Sequence, residues 1–150
     1  MTAAAAKRPV VLFACVHNSG RSVVAAALAR HYAGDLVDVR DAGSDPADEV
    51  NPAVARALAA AGLAISDHVP TRLDYDLVEA SDLVITLGCN EECPAVSGKR
   101  VVDWPVADPK GQDDATVASI VTDLDARVRA LLTDVAPGLT LPLPVFADAC

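Results

Sequence analysis

Aromatic side chains are scarce in this sequence: two Phe, two Tyr and one Trp among 150 residues. With 52% of the chain apolar, Ala, Val and Leu must supply most of any core. Positive charge is short as well. Twelve Lys and Arg face 21 Asp and Glu, a net charge of −9. That balance excludes a basic footprint for nucleic acid or for an anionic membrane surface, so an anionic ligand needs a local positive site. Long apolar runs are missing too. PVVLFACV is too short for a signal-peptide core with a cleavage site, and far below the ~20 residues that span a bilayer. The expectation is a cytoplasmic protein with neither a membrane nor a nucleic acid as partner. The pattern GxxxxGK[ST] is absent, which excludes a nucleotide P-loop. Four cysteines are present, and in a reducing compartment they suit redox, metal or catalytic roles better than structural disulfides.

The length is that of one domain, and the boundaries expected are a single domain over 1–150, with 1–8 and about 137–150 as peripheral tails. PVVLFA (9–14) is a continuous apolar run, a buried strand. Residues 22–33 have helix formers at helical spacing, and LVDVRD (36–41) alternates as a strand. Asn51-Pro52 is an N-cap followed by proline at the first helical position, opening a helix that runs to about Gly62. A short polar helix is expected over 71–80, strands at 82–88 and 99–104, and an amphipathic helix over about 113–133. Strands alternating with helices predict an α/β fold: three layers, with a four-stranded parallel sheet flanked by helices. Ligands in such sheets sit beyond the carboxyl ends of the strands. There the chain carries CVHNSGRS, CNEECP and PVADPKG.

In CVHNSGRS the sequence places Cys15 at a strand end and Arg21 at a helix start. The amides of Val16, His17, Asn18, Ser19, Gly20, Arg21 and Ser22 can close into a cradle at the positive end of the helix dipole. Arg21 adds a bidentate fork for a tetrahedral oxyanion. The same field favours the thiolate of Cys15, Ser22 can donate to it, and Asn18 can pin the loop from inside. C-x5-R by itself is a loose pattern, equally that of a buried cysteine and a surface arginine; the strand before and helix after it point to the anion site. Asp108-Pro109 follows the fourth strand at the same edge, where a carboxyl can protonate a leaving oxygen, although Asp-Pro also opens ordinary loops.

Cys89 and Cys93 remain open on the residues alone. They can form a redox pair, half of a zinc site for which no second Cys/His pair has the usual spacing, or two idle thiols. On a helix their Cβ atoms stand roughly 5–6 Å apart, whereas a disulfide wants about 3.8 Å. Closing the bond would therefore distort that turn. No metal is expected. His17 is read as pointing outward, His31 and His68 as surface or packing residues, Trp104 and Pro105 as the base of the acid loop, and Cys150 as an incidental tail thiol.

VLFACVHNSGRS, with DAGSDPADEVNP, TLGCNEECP and DWPVADPKGQ, resembles the low-molecular-weight protein tyrosine phosphatases, whose fold also serves one class of arsenate reductases. The resemblance implies that Cys15 is the nucleophile, Arg21 the oxyanion ligand and Asp108 the proton donor. It further implies reduction of arsenate to arsenite through a thiol–arsenate adduct, with Cys89 as resolving thiol and Cys93 relaying the disulfide. No cofactor is bound; the reductant is external, thioredoxin or a mycothiol–mycoredoxin pair, the short Cys-x3-Cys spacing being closer to the small-thiol users. The phosphatases carry aromatics after Asp-Pro, whereas this chain reads DPKGQ, which fits a small free oxyanion: arsenate, with phosphate or sulfate as analogues. VVAAALA lacks the acid through which some relatives hold potassium. Two alternatives stand beside the reductase: a phosphatase hydrolysing phosphomonoesters, and a non-enzymatic oxyanion sensor.

Overall fold

The computed structural model describes residues 8–63, 65, 68–88, 100–141 and 144. Cys89, Cys93 and Cys150 lie outside them. The elements are β1 (Val10–Cys15), α1 (Arg21–Ala33), β2 (Asp38–Gly43), α2 (Pro52–Ala60), α3 (Tyr75–Glu79), β3 (Leu83–Thr86), β4 (Arg100–Asp103) and α4 (Asp114–Val135). The four strands form one parallel sheet in the order β2-β1-β3-β4. β1 is central and buried at all six positions, as a strand covered on both faces must be. β2 and β4 are the two edge strands, and β4 is the largely exposed one.

Successive residues of β1 face opposite layers, so two cores form. Val11, Phe13 and Cys15 belong to the larger, with α1, α2 and α4. Leu12 and Ala14 face the smaller one, with Ala42, Leu73, Val78 and Val84. Phe13 is fully buried and its ring tilts against Trp104 at 5.9 Å; truncating it to Ala would cost ~3–5 kcal/mol. α1 is buried almost all round because α4 covers its outer side, where Tyr32 donates a short hydrogen bond to Asp125 and carries the Arg129 guanidinium 5.0 Å above its ring.

Local chemistry sets the helix ends. Asn51 caps α2 by accepting from the Ala53 amide at 2.9 Å, and Asp113 caps α4 through the Thr116 amide at 2.8 Å. α2 stops in a Schellman turn: Gly62 adopts φ +82°, its amide bonds the Ala59 carbonyl, and the Leu63 amide bonds Leu58. The expected helix over 71–80 shrinks to α3, because Arg72 pairs with Gly43 as a bridge beyond β2 and Asp74 caps a helix that starts only at Tyr75. β2 lies two residues later than its alternation predicts, running through Ala42 and Gly43 so that Gly43 stands beside Cys15. After α4, Leu139 and Leu141 are partly buried against the larger core. Among the described residues no helix is long and apolar enough to cross a membrane.

Candidate active site

Parallel pairing brings the ends of β1, β3 and β4 to one edge. The chain leaves β1 at Cys15, a buried free thiol, and loops through residues 16–20 into α1. The carbonyls of this loop are tied outward. Cys15, Val16, His17 and Ser19 accept from the amides of Ser44 (3.1 Å), Asp45 (2.7 Å), Ala47 (3.0 Å) and Asn51 (2.8 Å). Gly20 accepts from the Val24 amide at 3.0 Å, the first bond of α1. None of the amides of residues 16–20 donates to another group among the described residues. Five unpaired N–H groups at a helix N-terminus form a nest that suits an oxyanion.

Inside the loop, Asn18 is fully buried and adopts φ +48°, a left-handed conformation that asparagine tolerates better than most residues. Its Nδ2 donates to Ser22 Oγ at 2.8 Å and to Asp41 Oδ2 at 2.8 Å, while its Oδ1 accepts from the Thr71 amide at 2.8 Å. Ser22 Oγ in turn lies 2.9 Å from Cys15 Sγ. His17 points away from the nest, its Nδ1 3.0 Å from the Asp45 carbonyl.

Arg21 leans toward the ends of the neighbouring strands. One amino group donates to the Val106 carbonyl at 3.2 Å, the other stands 3.8 Å from Asp108 Oδ2. Asp108 is half-exposed, and its Oδ1 caps its own turn by accepting from the Lys110 amide at 3.0 Å. The next residue, Pro109, packs so closely on Gly20 that a Cβ there would lie 2.8 Å from its ring. The acid loop thus rests directly on the cysteine loop. Trp104 is buried beneath it, as read from the sequence, whereas Pro105 is exposed.

Four residues that the sequence leaves unmarked shape this site. Gly43 has no room for a Cβ, which would fall 2.6 Å from the Val16 carbonyl oxygen and 2.7 Å from the Asn18 amide. Gly88 (φ +74°) lies against the Arg21 guanidinium, with a hypothetical Cβ only 2.3 Å from it. Asp41, two residues before the end of β2, carries a buried carboxylate. His68, read as a surface or packing residue, instead places Nε2 2.5 Å from Asp41 Oδ2. The one local signal was a charged residue near the end of a strand beside glycine, in RDAG. Burial opposes the charge on Asp41, but hydrogen bonds from His68, Asn18 and Arg30, with the Arg30 charge, outweigh it and hold the carboxyl below its usual value.

A cleft of about 620 Å³ opens beside the nest, with His17, Ser19, Asp45, Asp48, Glu49 and Lys110 on its walls. No Phe, Tyr or Trp is among the described residues lining it. Among the described residues no group of three His, Cys, Asp or Glu could hold a metal.

The family model for low molecular weight phosphotyrosine protein phosphatase matches residues 10–139. A solved thioredoxin-dependent arsenate reductase from Corynebacterium glutamicum shares 44% identity over 89% of this chain with a TM-score of 0.78, and this chain spans 65% of that protein's length. A solved arsenate reductase from Archaeoglobus fulgidus shares 31% identity over 81% of this chain and 98% of its own, with a TM-score of 0.70. Arsenate reductase 1 of Bacillus cereus is 31% identical over 81% of this chain and 92% of its own. The chain belongs to the low-molecular-weight phosphotyrosine protein phosphatase family.

Proposed function

We propose that this protein is an enzyme that reduces arsenate to arsenite, using Cys15 as nucleophile and an external thiol as the source of electrons. The carrying observation is the free Cys15 thiol beside Ser22 Oγ, at the base of a loop whose amides 16–20 donate to no group among the described residues. The relatives named as arsenate reductases support the choice of oxyanion.

The loop amides and Arg21 bind arsenate, and the Cys15 thiolate attacks arsenic. Asp108 gives a proton to the departing oxygen, which leaves as water. The bond formed is S–As and the bond broken is As–O; arsenic stays pentavalent. Cys89 then attacks Cys15 Sγ. The S–As electron pair passes to arsenic, arsenite departs, and a Cys15–Cys89 disulfide holds the two electrons' worth of oxidation. Cys93 attacks Cys89, releasing Cys15 and leaving a Cys89–Cys93 disulfide for thioredoxin. In the small-thiol version, mycothiol takes the place of Cys89 and mycoredoxin reduces the product. The reducing cytoplasm suits this thiol chemistry.

Hydrolysis of phosphomonoesters is the second reading, favoured by the family to which the chain belongs. The cleft argues against a phosphotyrosyl substrate: no described Phe, Tyr or Trp lines it, and Asp45, Asp48 and Glu49 give it an acidic wall.

The deciding assay measures arsenite formed from arsenate with thioredoxin and its reductase, and in parallel with mycothiol and mycoredoxin. Turnover with thioredoxin that vanishes in both Cys89→Ser and Cys93→Ser establishes the relay. Turnover with mycothiol alone, indifferent to Cys93→Ser, leaves out the internal relay. Aryl phosphate hydrolysis without arsenite in either system overturns the reductase reading.

A further inference from the structure

Behind the nest, a chain of hydrogen bonds runs from the surface of α1 to the sulfur. Arg30 reaches across β2 and donates to Asp41 Oδ1 at 2.8 Å and to the Val39 carbonyl at 3.1 Å. His68 approaches Asp41 Oδ2 at 2.5 Å, and Asn18 Nδ2 donates to the same oxygen at 2.8 Å. Asn18 passes its other Nδ2 proton to Ser22 Oγ at 2.8 Å, and Ser22 Oγ meets Cys15 Sγ at 2.9 Å.

We propose that Asp41 is a positioning residue for Cys15: its carboxylate fixes which way the Asn18 amide faces, and through Ser22 it sets how readily the thiol becomes a thiolate. The inference rests on Cys15 being the reactive thiol of the site.

The argument is one of donors and acceptors. An ionised carboxylate only accepts, so the edge of Asn18 that meets Asp41 has to be its NH2 group. That NH2 group then supplies a proton to Ser22 Oγ as well. Having accepted there, Ser22 has its own O–H free to aim at Cys15 Sγ, the polarity that a thiolate requires. Reversing the Asn18 amide would put its oxygen against the Asp41 carboxylate and its NH2 against the Thr71 amide. Asp41 opposes that reversal from one side and the Thr71 amide from the other. The bare charge of Asp41 would otherwise disfavour a second negative charge on sulfur, and Arg30 compensates for it. The device therefore needs both members of the pair: Asp41 for direction, Arg30 for charge.

The test is the pH profile of Cys15 alkylation by iodoacetamide, read on the Cys15 peptide by mass spectrometry, in the full chain without arsenate. In Asp41→Asn, whose own amide can satisfy either face of Asn18, Cys15 alkylation at pH 7 is expected to fall at least ~5-fold and its profile to move to higher pH. Arg30→Met keeps the aliphatic stem and removes the charge. It is expected to slow alkylation ~2–3-fold in the Asp41 chain and to have no effect in the Asp41→Asn chain. A folded Asp41→Asn protein with the parental profile overturns the proposal, as does an Arg30→Met effect that is equal in both backgrounds. Should Asp41→Asn fail to fold, Arg30→Met decides alone, and an unchanged Cys15 profile overturns it. Arsenate takes no part in the measurement. Alkylation as expected without arsenite production sinks the reductase reading and keeps this one, and the reverse pattern does the opposite.

Discussion

The cysteine loop and the acid loop meet across Arg21, yet they are held in different ways. In the first, four carbonyls are bound by amides of the 44–51 segment, and Asn18 ties the interior to β2, α1 and Thr71. In the second, the bonds are mostly within the loop itself, such as Val106 to Trp104 and Gln112 to Pro109. The acid loop reaches the rest of the site through Pro109 on Gly20 and through Arg21, which bonds Val106 and pairs with Asp108 at 3.8 Å. The part that holds the anion is preorganised, so little rearrangement is needed when charge arrives. On the proposed mechanism, the loop that would deliver the proton is tethered by the arginine that would bind the anion, so an oxyanion that drew the Arg21 fork would loosen its hold on Asp108.

Substitutions on each side probe this contrast. Cys15→Ser, nearly isosteric, is expected to lower arsenite formation by at least ~10³-fold while leaving the melting temperature intact. On the acid side, Asp108→Asn should cut kcat by ~10²–10⁴-fold. Protection of Cys15 by phosphate against alkylation should survive in that variant. Loss of protection along with kcat would mean that the acid loop also builds the anion site, and the contrast would break.

Glycine substitutions sharpen it in stability. Gly43→Ala drives a Cβ into the Val16 carbonyl oxygen and the Asn18 amide, and should cost about 1–3 kcal/mol in urea unfolding. Gly111→Ala, in the acid loop, has open space but φ +74°, so the loss should be about 1 kcal/mol. Equal losses would remove the distinction between a packed loop and a loose one.

The smallest effect is an acid-dependent one. The carboxyl of Asp41 is held below its ordinary value in the folded chain. The unfolded chain therefore takes up a proton first as pH falls, and the stabilisation, full above about pH 4, is lost as pH drops through the folded value. Urea midpoints measured from pH 6 downward should show this slope in the parent and a shallower one in Asp41→Asn. Identical slopes would place the acid sensitivity elsewhere.

Much of this molecule is legible in the chain order. PVVLFA and DLVITLG read as buried strands because both of their faces are apolar, and Asn51-Pro52 and Asp113 mark helix starts because capping is a contact between near neighbours. Cys15, Asn18, Arg21 and Ser22 are legible as a site for the same reason: the nest spans a single turn between a strand and a helix. The place of Asp108 after the fourth strand put it at the same edge, where it stands 3.8 Å from Arg21, and the family match over residues 10–139 bears out the resemblance read from the motifs. The second and third thiols, Cys89 and Cys93, fall outside the described residues, and their part in the relay rests on sequence and on the proposed chemistry.

Other features were illegible until the sheet was assembled. His68 has no motif around it, and LAISDHVP shows only an irregular stretch. Its meeting with Asp41 depends on the 68–73 segment crossing the end of β2, where the Gly43 amide bonds the Thr71 carbonyl at 2.8 Å. Gly43 and Gly88 look like ordinary turn glycines, and only the approach of the cysteine loop and of Arg21 makes a side chain impossible there. The sequence by itself determined the strands, the helix caps, the two-sided burial of β1 and the presence of a cysteine nest, since each arises from hydrogen bonding and polarity over a few consecutive residues. The tertiary structure decided what stands behind the nest. Asn18, Arg30, Asp41, His68 and Thr71 come within hydrogen-bonding reach only once β2 pairs alongside β1, and no local pattern carries that strand order.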